Sequence, residues 1–537
     1  MKTWYENLRS SMATTALAST ATRSVAVLGA HEPGTRRMII LPPRGIRSGV
    51  GSLAVEAGAL PQAALLTSRA FLSSLSDVGA SVARKVRSDR LKLKVVDSVA
   101  EDGAKLVEMR PSELQALRLV QPGLRIVPEV FYAPALHLQF LAATAAAKTG
   151  SGGKRIVVTV VGRDGAKIRN ALVVAFTSFK LRQGADGTTD ARGRVTLALP
   201  AGTKRIERLY VYPEHGYWGR LERNLAAATT TLTLRPIELS TTDCVRHFFG
   251  GGADGDGAGV TVGVVDSGVA LDHPDLHVAG GACTVSGEPA DAFGPVAGAH
   301  GSHVAGIIAA HGTPPQGIRG VAPACHIRSY RVFPKLGKAS NFAIIRAIDQ
   351  AIHDGCDLIN LSLGGGPRDM ALESAIGDAH LAGAVCIVAA GNDDRSPVAI
   401  PAAYDLSLAV SAMGRKGLFP AESVESADVA APYGTDKRNF VAGFSNVGPE
   451  IDVTGPGVGV VSTVPDGYGV MSGTSMACPA VTGAAARMLG NPAHKDILAA
   501  ARDENRANAI LKMVLVSCKR LGFNPPPDFE GAGLPRP

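Results

Sequence analysis

Gly473-Thr474-Ser475-Met476-Ala477-Cys478-Pro479 sets a serine between a glycine-rich approach and the alanine-rich run Ala480 to Leu489. Small and apolar residues throughout that run predict a buried helix with Ser475 at its amino-terminal end. Such an end favours developing negative charge. Pro479 is expected close to the first turn, where a missing backbone donor does least harm. A serine that merely caps a buried helix would leave the same local pattern. Ser475 therefore becomes a candidate nucleophile only if partners exist elsewhere.

Two further stretches supply them. Val260-Thr261-Val262-Gly263-Val264-Val265-Asp266-Ser267-Gly268 is an almost wholly apolar run ending in a carboxylate and a glycine. It predicts a buried parallel strand with Asp266 at its carboxyl end, the edge where open α/β sheets bind ligands. Alone, such an aspartate is a common turn former. His300-Gly301-Ser302-His303-Val304-Ala305-Gly306 opens a second small-residue helix with a histidine at its start. Alone, that histidine reads as a cap or a packing residue. Together the three give carboxylate, imidazole and hydroxyl in the chain order Asp, His, Ser.

With these motifs, and with His273-Pro274-Asp275-Leu276 after the aspartate, the chain resembles the subtilase family of serine peptidases. The resemblance implies an α/β fold, a subtilisin-like parallel sheet with helices on both faces, and a serine endopeptidase acting on polypeptide substrates. A serine hydroxyl is a poor nucleophile at neutral pH, so His300 is expected as its base and Asp266 as the group that orients the imidazole. Val385 to Ala389 predicts another buried strand, ending at Gly391-Asn392, and resembles the family segment that carries a side-chain oxyanion donor. Asn392 is the expected donor, with the Ser475 N–H as the second.

Asp357 to Gly366 reads as a strand running into glycines, where another backbone can come close. A peptide can pair there as an added strand. Ser362, Leu363 and Gly364 are accordingly the expected substrate-binding residues. Asp393 to Pro401 should help to wall the primary specificity pocket; Ala399 and Ile400 suggest an apolar pocket and Asp393 a basic preference, and the two stay open.

At 537 residues the chain exceeds one domain. Residues 1–35 form an Ala/Ser/Thr-rich N-terminal extension in which Arg23 interrupts the best apolar candidate, so no signal peptide is read. Residues 36–132 alternate strand and helix as a small α+β module. By position and pattern it resembles the family's inhibitory propeptide, which is ferredoxin-like, and it implies a self-processing zymogen whose own module is a partner. Residues 133–154, alanine-rich and ending Thr149-Gly150-Ser151-Gly152-Gly153-Lys154, read as a flexible linker and a place for self-cleavage. Residues 155–239 carry short strand-like runs separated by turn residues, the pattern of a β-sandwich, carboxypeptidase-regulatory-like or Ig-like. Residues 240–537 hold the peptidase domain and a C-terminal tail.

The balance of 55 Lys plus Arg against 47 Asp plus Glu is mildly basic, without the basic runs or interleaved aromatics of a nucleic-acid partner. No run is long enough for a membrane span. The seven cysteines are odd in number and lack C-x-x-C spacing, so neither a disulfide framework nor a metal site is read. Cysteine usage leans cytoplasmic, whereas the resemblance points to a secreted protein. No cofactor is expected: His311 to Ile318 lacks the oxygen-rich residues with which relatives hold calcium, and Asp275 alone does not make a calcium site.

Overall fold

The computed structural model describes residues 34–48, 62–75, 84–88, 91–139, 153–296 and 298–537. The expected N-terminal extension lies outside the described residues except for its last two, and so do residues 140–152 of the expected linker.

The first module contains β1 (Arg36–Leu41), α1 (Gln62–Ser74), β2 (Arg84–Ser88), β3 (Leu91–Ser98), β4 (Lys105–Met109), α2 (Pro111–Val120) and β5 (Arg125–Pro128). Its sheet has the order β2-β3-β4-β1-β5, all pairs antiparallel. Without β2 this is the split βαββαβ arrangement, which places both helices on one face. Met38, Ile40, Val107 and Leu117 make a core beneath those helices. Alternation along β1 sends Ile39 and Leu41 the other way, into a core shared with the third module.

The second module pairs β7 (Lys154–Gly162) with β10 (Arg194–Leu199) and β13 (Thr230–Leu234) in one sheet. Its other sheet runs β12 (Arg220–Ala226), β11 (Arg205–Tyr212), β8 (Leu172–Ser178) and β9 (Gln183–Thr188). Val158, Leu197 and Leu232 of the first sheet meet Val173, Ile206 and Leu209 of the second in a shared core. Backbone bonds from Leu221 N to Glu422 O (2.9 Å) and from Gly216 N to Tyr468 O (2.7 Å) fasten this module to the third.

The third module is a nine-stranded mixed sheet covered by helices. Parallel strands run β15 (Val278–Cys283), β16 (His326–Arg331), β14 (Thr261–Asp266), β18 (Leu358–Leu361), β20 (Val385–Ala389) and β21 (Ser407–Arg415), with β24 (Val453–Pro456) also parallel to β21. Helices α3 (His300–Ala309) and α6 (Thr474–Leu489) contribute to one core; α4 (Asn341–His353) and α5 (Met370–Leu381) contribute to the other. The Ser340 hydroxyl caps α4 by accepting from Ala343 N at 3.1 Å, and Phe342, Ile345 and Ile348 follow at helical spacing toward the sheet.

The sheet departs from the all-parallel expectation at one edge, where β22 (Val429–Tyr433) and β23 (Asn439–Ala442) are antiparallel. Only residues 434–438 join them, too few for the crossover that a parallel pair needs. Pro479 also departs from expectation, because it lies in the second turn of α6. The carbonyl of Ser475 thereby loses its helical donor, and the Ser362 hydroxyl donates to it instead at 3.1 Å.

Candidate active site

Asp266 ends β14 and His300 begins α3, so the carboxyl edge of the sheet and a helix start bring the two together. His300 Nδ1 lies 2.8 Å from Asp266 Oδ1 and 2.9 Å from Oδ2, and both residues are buried. A carboxylate facing Nδ1 assigns the proton to that nitrogen and leaves Nε2 as the free base. His300 Nε2 has no hydrogen-bond partner among the described residues. The loop around the pair is fixed: Gly301 N donates to Ser267 Oγ at 3.0 Å, and a Cβ on Gly301 would come within 2.5 Å of the Gly268 carbonyl.

One turn into α3, His303 is buried with Nε2 against the Val460 carbonyl at 3.1 Å. Burial, with the neighbouring His300 adding to it, holds its imidazole down to about 3, so it is neutral.

Ser475 is the second residue of α6 and is fully buried. Its hydroxyl donates to the Ser362 carbonyl at 3.0 Å and does not reach the imidazole. Asp266 and His300 are thus joined directly, while Ser475 is turned aside. The Asn392 amide is held by Thr474, whose N–H and hydroxyl donate to Asn392 Oδ1 at 2.8 and 3.0 Å. That leaves Asn392 Nδ2 free to donate elsewhere.

The acceptor is the carbonyl of Ala135. Asn392 Nδ2 donates to it, and so does Ser475 N at 3.2 Å. β6 (Phe131–Pro134) delivers that carbonyl as the middle strand of a small sheet, antiparallel to β17 (Ala339–Ser340) on one side and to β19 (Leu363–Gly364) on the other. Ala135 N then donates to the Ser362 carbonyl at 3.1 Å, and His137 N to the Ser472 carbonyl at 3.0 Å. The chain therefore crosses the site from Phe131 to Gln139, as a strand as far as Pro134. Of residues 133–139, read from composition as flexible linker, Ala133, Pro134, Ala135 and His137 are instead paired with backbone, and Gln139 N bonds to the Tyr212 hydroxyl.

Ser362, Leu363 and Gly364 contact this crossing strand, Ser362 through its carbonyl and the other two through the ladder. Gly473 precedes α6 with φ at 156°, and a Cβ there would come within 2.7 Å of Ala135 O. A bare backbone is what lets the carbonyl approach. Asp393, weighed as a basic-specificity group, accepts from Asn446 Nδ2 at 3.0 Å. Asp275 Oδ2 accepts both from Ile318 N at 2.7 Å and from the Tyr468 hydroxyl at 2.8 Å. Sequence reasoning missed Thr474 and Ala135. Thr474 lies inside the serine motif, but its task depends on a residue 82 positions away.

Comparison with known proteins agrees with the geometry. A sequence profile of the subtilase family matches residues 257–526. Over 238 residues the chain is 39% identical to Subtilisin DY of Bacillus licheniformis, an overlap of 43% of this chain and 77% of that protein. It is 40% identical to Subtilisin of Bacillus pumilus, again over 43% of this chain and covering 78% of that one. With Subtilisin E of Bacillus subtilis (strain 168) the identity is 38% and spans 43% of this chain but only 56% of that relative's length. Half of the chain falls under the family profile and the Asp266–His300 pair lies within it, so this chain belongs to the subtilase family of serine-type endopeptidases.

Proposed function

We propose that Asp266, His300 and Ser475 act as a catalytic triad, with Asn392 Nδ2 and Ser475 N as the oxyanion donors, and that the first peptide bond they hydrolyse is Ala135–Leu136 of the same chain. The observation that carries this is the Ala135 carbonyl, which accepts from both donors at once. A carbonyl so held is polarised where tetrahedral charge develops.

Ser475 Oγ turns from the Ser362 carbonyl toward His300 Nε2, a rotation about a single side-chain bond. His300 takes the hydroxyl proton as Oγ bonds to the Ala135 carbonyl carbon, and Asp266 stabilises the imidazolium. Collapse of the intermediate breaks the bond to the Leu136 nitrogen, which receives the proton from His300. Water, deprotonated by the same imidazole, then releases the new Ala135 carboxylate.

In this reading residues 36–132 are the ferredoxin-like propeptide and residues 155–239 a β-sandwich, so the chain is made as a zymogen. After cleavage β6 stays in the cleft as a product strand, and the module blocks further substrate until it leaves. Later polypeptide substrates take the path of residues 131–139 between β17 and β19.

Intact mass and N-terminal sequencing test this. The purified wild type should yield a fragment beginning at Leu136 and should label at Ser475 with a fluorophosphonate. Ser475→Ala should stay at 537 residues and take no label. A labelled wild type that is cut elsewhere would refute the cleavage assignment, and a folded wild type that takes no label would favour a binding protein in which the module stays docked.

A further inference from the structure

Beyond the scissile bond, the crossing strand enters a pocket that the peptidase domain does not build alone. Its walls include Tyr210, Tyr212 and Glu214 of the second module and Val424, Glu425 and Asp428 of the third. The second residue after the Ala135–Leu136 bond, His137, fills part of it. Its ring stacks on Phe444 with centroids 4.6 Å apart and planes at 24°, and its Nε2 lies 3.4 Å from Asp428 Oδ1 and 2.9 Å from Gln139 Nε2.

The pocket is acidic. Glu214, Glu425 and Asp428 line it, and no lysine or arginine does so among the described residues. Arg182 comes near, but it donates to Gln139 Oε1. Glu425 and Asp428 are 2% and 6% exposed. Glu425 Oε2, in the same pocket as Asp428, has no hydrogen-bond partner among the described residues. Burial pushes the Glu425 carboxyl up to about 7 against the opposing Ser423 hydroxyl, and Asp428 adds to the rise. A carboxylate as buried as Asp428 is unfavourable unless a cation or donor joins it.

The segment that occupies the pocket is tied to both modules. His137 N bonds to Ser472 O of the peptidase domain, while Gln139 N donates to the Tyr212 hydroxyl of the second module at 3.2 Å. The second module therefore supplies one wall of the substrate path.

We propose that Asp428 and Phe444, closed in by Tyr210 and Tyr212, form a binding site for a cationic side chain of a polypeptide substrate. That residue is the second after the scissile bond, and His137 holds its place in the unprocessed chain. A guanidinium or ammonium there meets Asp428 while its stem or plane lies on Phe444. The site deepens the proposed function and rests on Ala135–Leu136 lying in catalytic register.

The test uses the self-processed enzyme, with active sites counted by fluorophosphonate. Internally quenched peptides copy residues 131–139 and vary only the position of His137: arginine, lysine, norleucine or glutamate. Mass spectrometry confirms the Ala–Leu cut in each. Per labelled serine, kcat/KM for arginine should exceed that for norleucine roughly tenfold, the size of one charge-assisted hydrogen bond in a half-buried setting, with glutamate below both. Asp428→Asn should erase the ratio, and Asp428→Arg should reverse it in favour of glutamate. A flat series in the wild type overturns the site, and so does an arginine preference that survives Asp428→Asn. An enzyme that takes no label overturns the catalytic reading beneath it, which tells the two failures apart.

Discussion

Exchanging Asp378 for asparagine probes how the N-terminal module is held and when it lets go. Asp378 lies on α5 and faces that module: its Oδ2 accepts from Ile46 N at 2.7 Å, and a Cβ on Gly45 would come within 2.6 Å of its Oδ1. Burial raises its carboxyl from 3.8 to about 7, with Asp349 adding to the rise and the Ile46 N–H, Arg125 and Arg47 opposing it. Departure of the module uncovers the group and returns it toward the ordinary carboxylate range, so docking favours the protonated form. A raised value in the docked state means that the contribution is complete below 3.8 and is lost as pH rises through about 7. At about 1.4 kcal/mol per pH unit the ceiling is on the order of 4 kcal/mol. The uncovered group still sits on a packed helix, which reduces the realised difference to about 2 kcal/mol, or roughly thirtyfold in the dissociation constant. Asparagine keeps an acceptor for Ile46 and cannot titrate. The assay follows the onset of peptidase activity on dilution of the self-cleaved complex between pH 4.5 and 8. Wild type and Asp378→Asn should hold the module nearly equally at pH 4.5, and the variant should hold it roughly thirtyfold more tightly at pH 8. The Arg47–Asp349 ion pair, at 2.5 Å, is common to both proteins and cancels. Parallel pH curves, or weaker docking by the variant at pH 8, would refute the reasoning.

Other substitutions separate the parts of the site. Asn392→Ala removes one of two oxyanion donors and should lower kcat by about a hundred- to thousand-fold with KM little changed, a magnitude taken from subtilisin rather than from this geometry; steady-state kinetics on a quenched peptide checks it. Asp266→Asn keeps the shape but offers His300 Nδ1 the wrong partner, and kcat at neutral pH should fall by about ten-thousand-fold, with fluorophosphonate labelling slowed in step. Ser362→Ala strands the Ser475 carbonyl, which Pro479 already deprives of its helical donor, and should cost about 1–3 kcal/mol in denaturant unfolding of the peptidase domain. Gly473→Ala sets a Cβ against the Ala135 carbonyl and should slow self-cleavage, followed by the persistence of the uncut chain on a gel.

What could be read from the sequence divides along the range of the forces involved. Asp266 is legible because a buried parallel strand must be apolar and must end somewhere, and His300 because a helix start shows in its small residues; the sheet and α3 then bring the two to 2.8 Å. The antiparallel edge at β22 and β23 hinges on a five-residue connection, a count that motif reading passes over. Residues 133–139 are the instructive failure. Alanine and proline there read as linker, yet small side chains are also what a strand needs when it lies against Gly364. One position earlier the fit inverts: the Tyr132 ring packs where Gly366 has no side chain, so close that a Cβ would come within 2.4 Å of it. Neither stretch alone names its partner, because the information lies in their complementarity, and the two are more than two hundred positions apart. The hydroxyl of Ser475 is a similar case, since its turn toward the Ser362 carbonyl is set by a neighbour on another strand. Short-range pattern thus points to Asp266, His300 and Ser475, whereas the turn of the Ser475 hydroxyl away from His300 and the hold of two donors on the Ala135 carbonyl follow from contacts that only the folded molecule brings about.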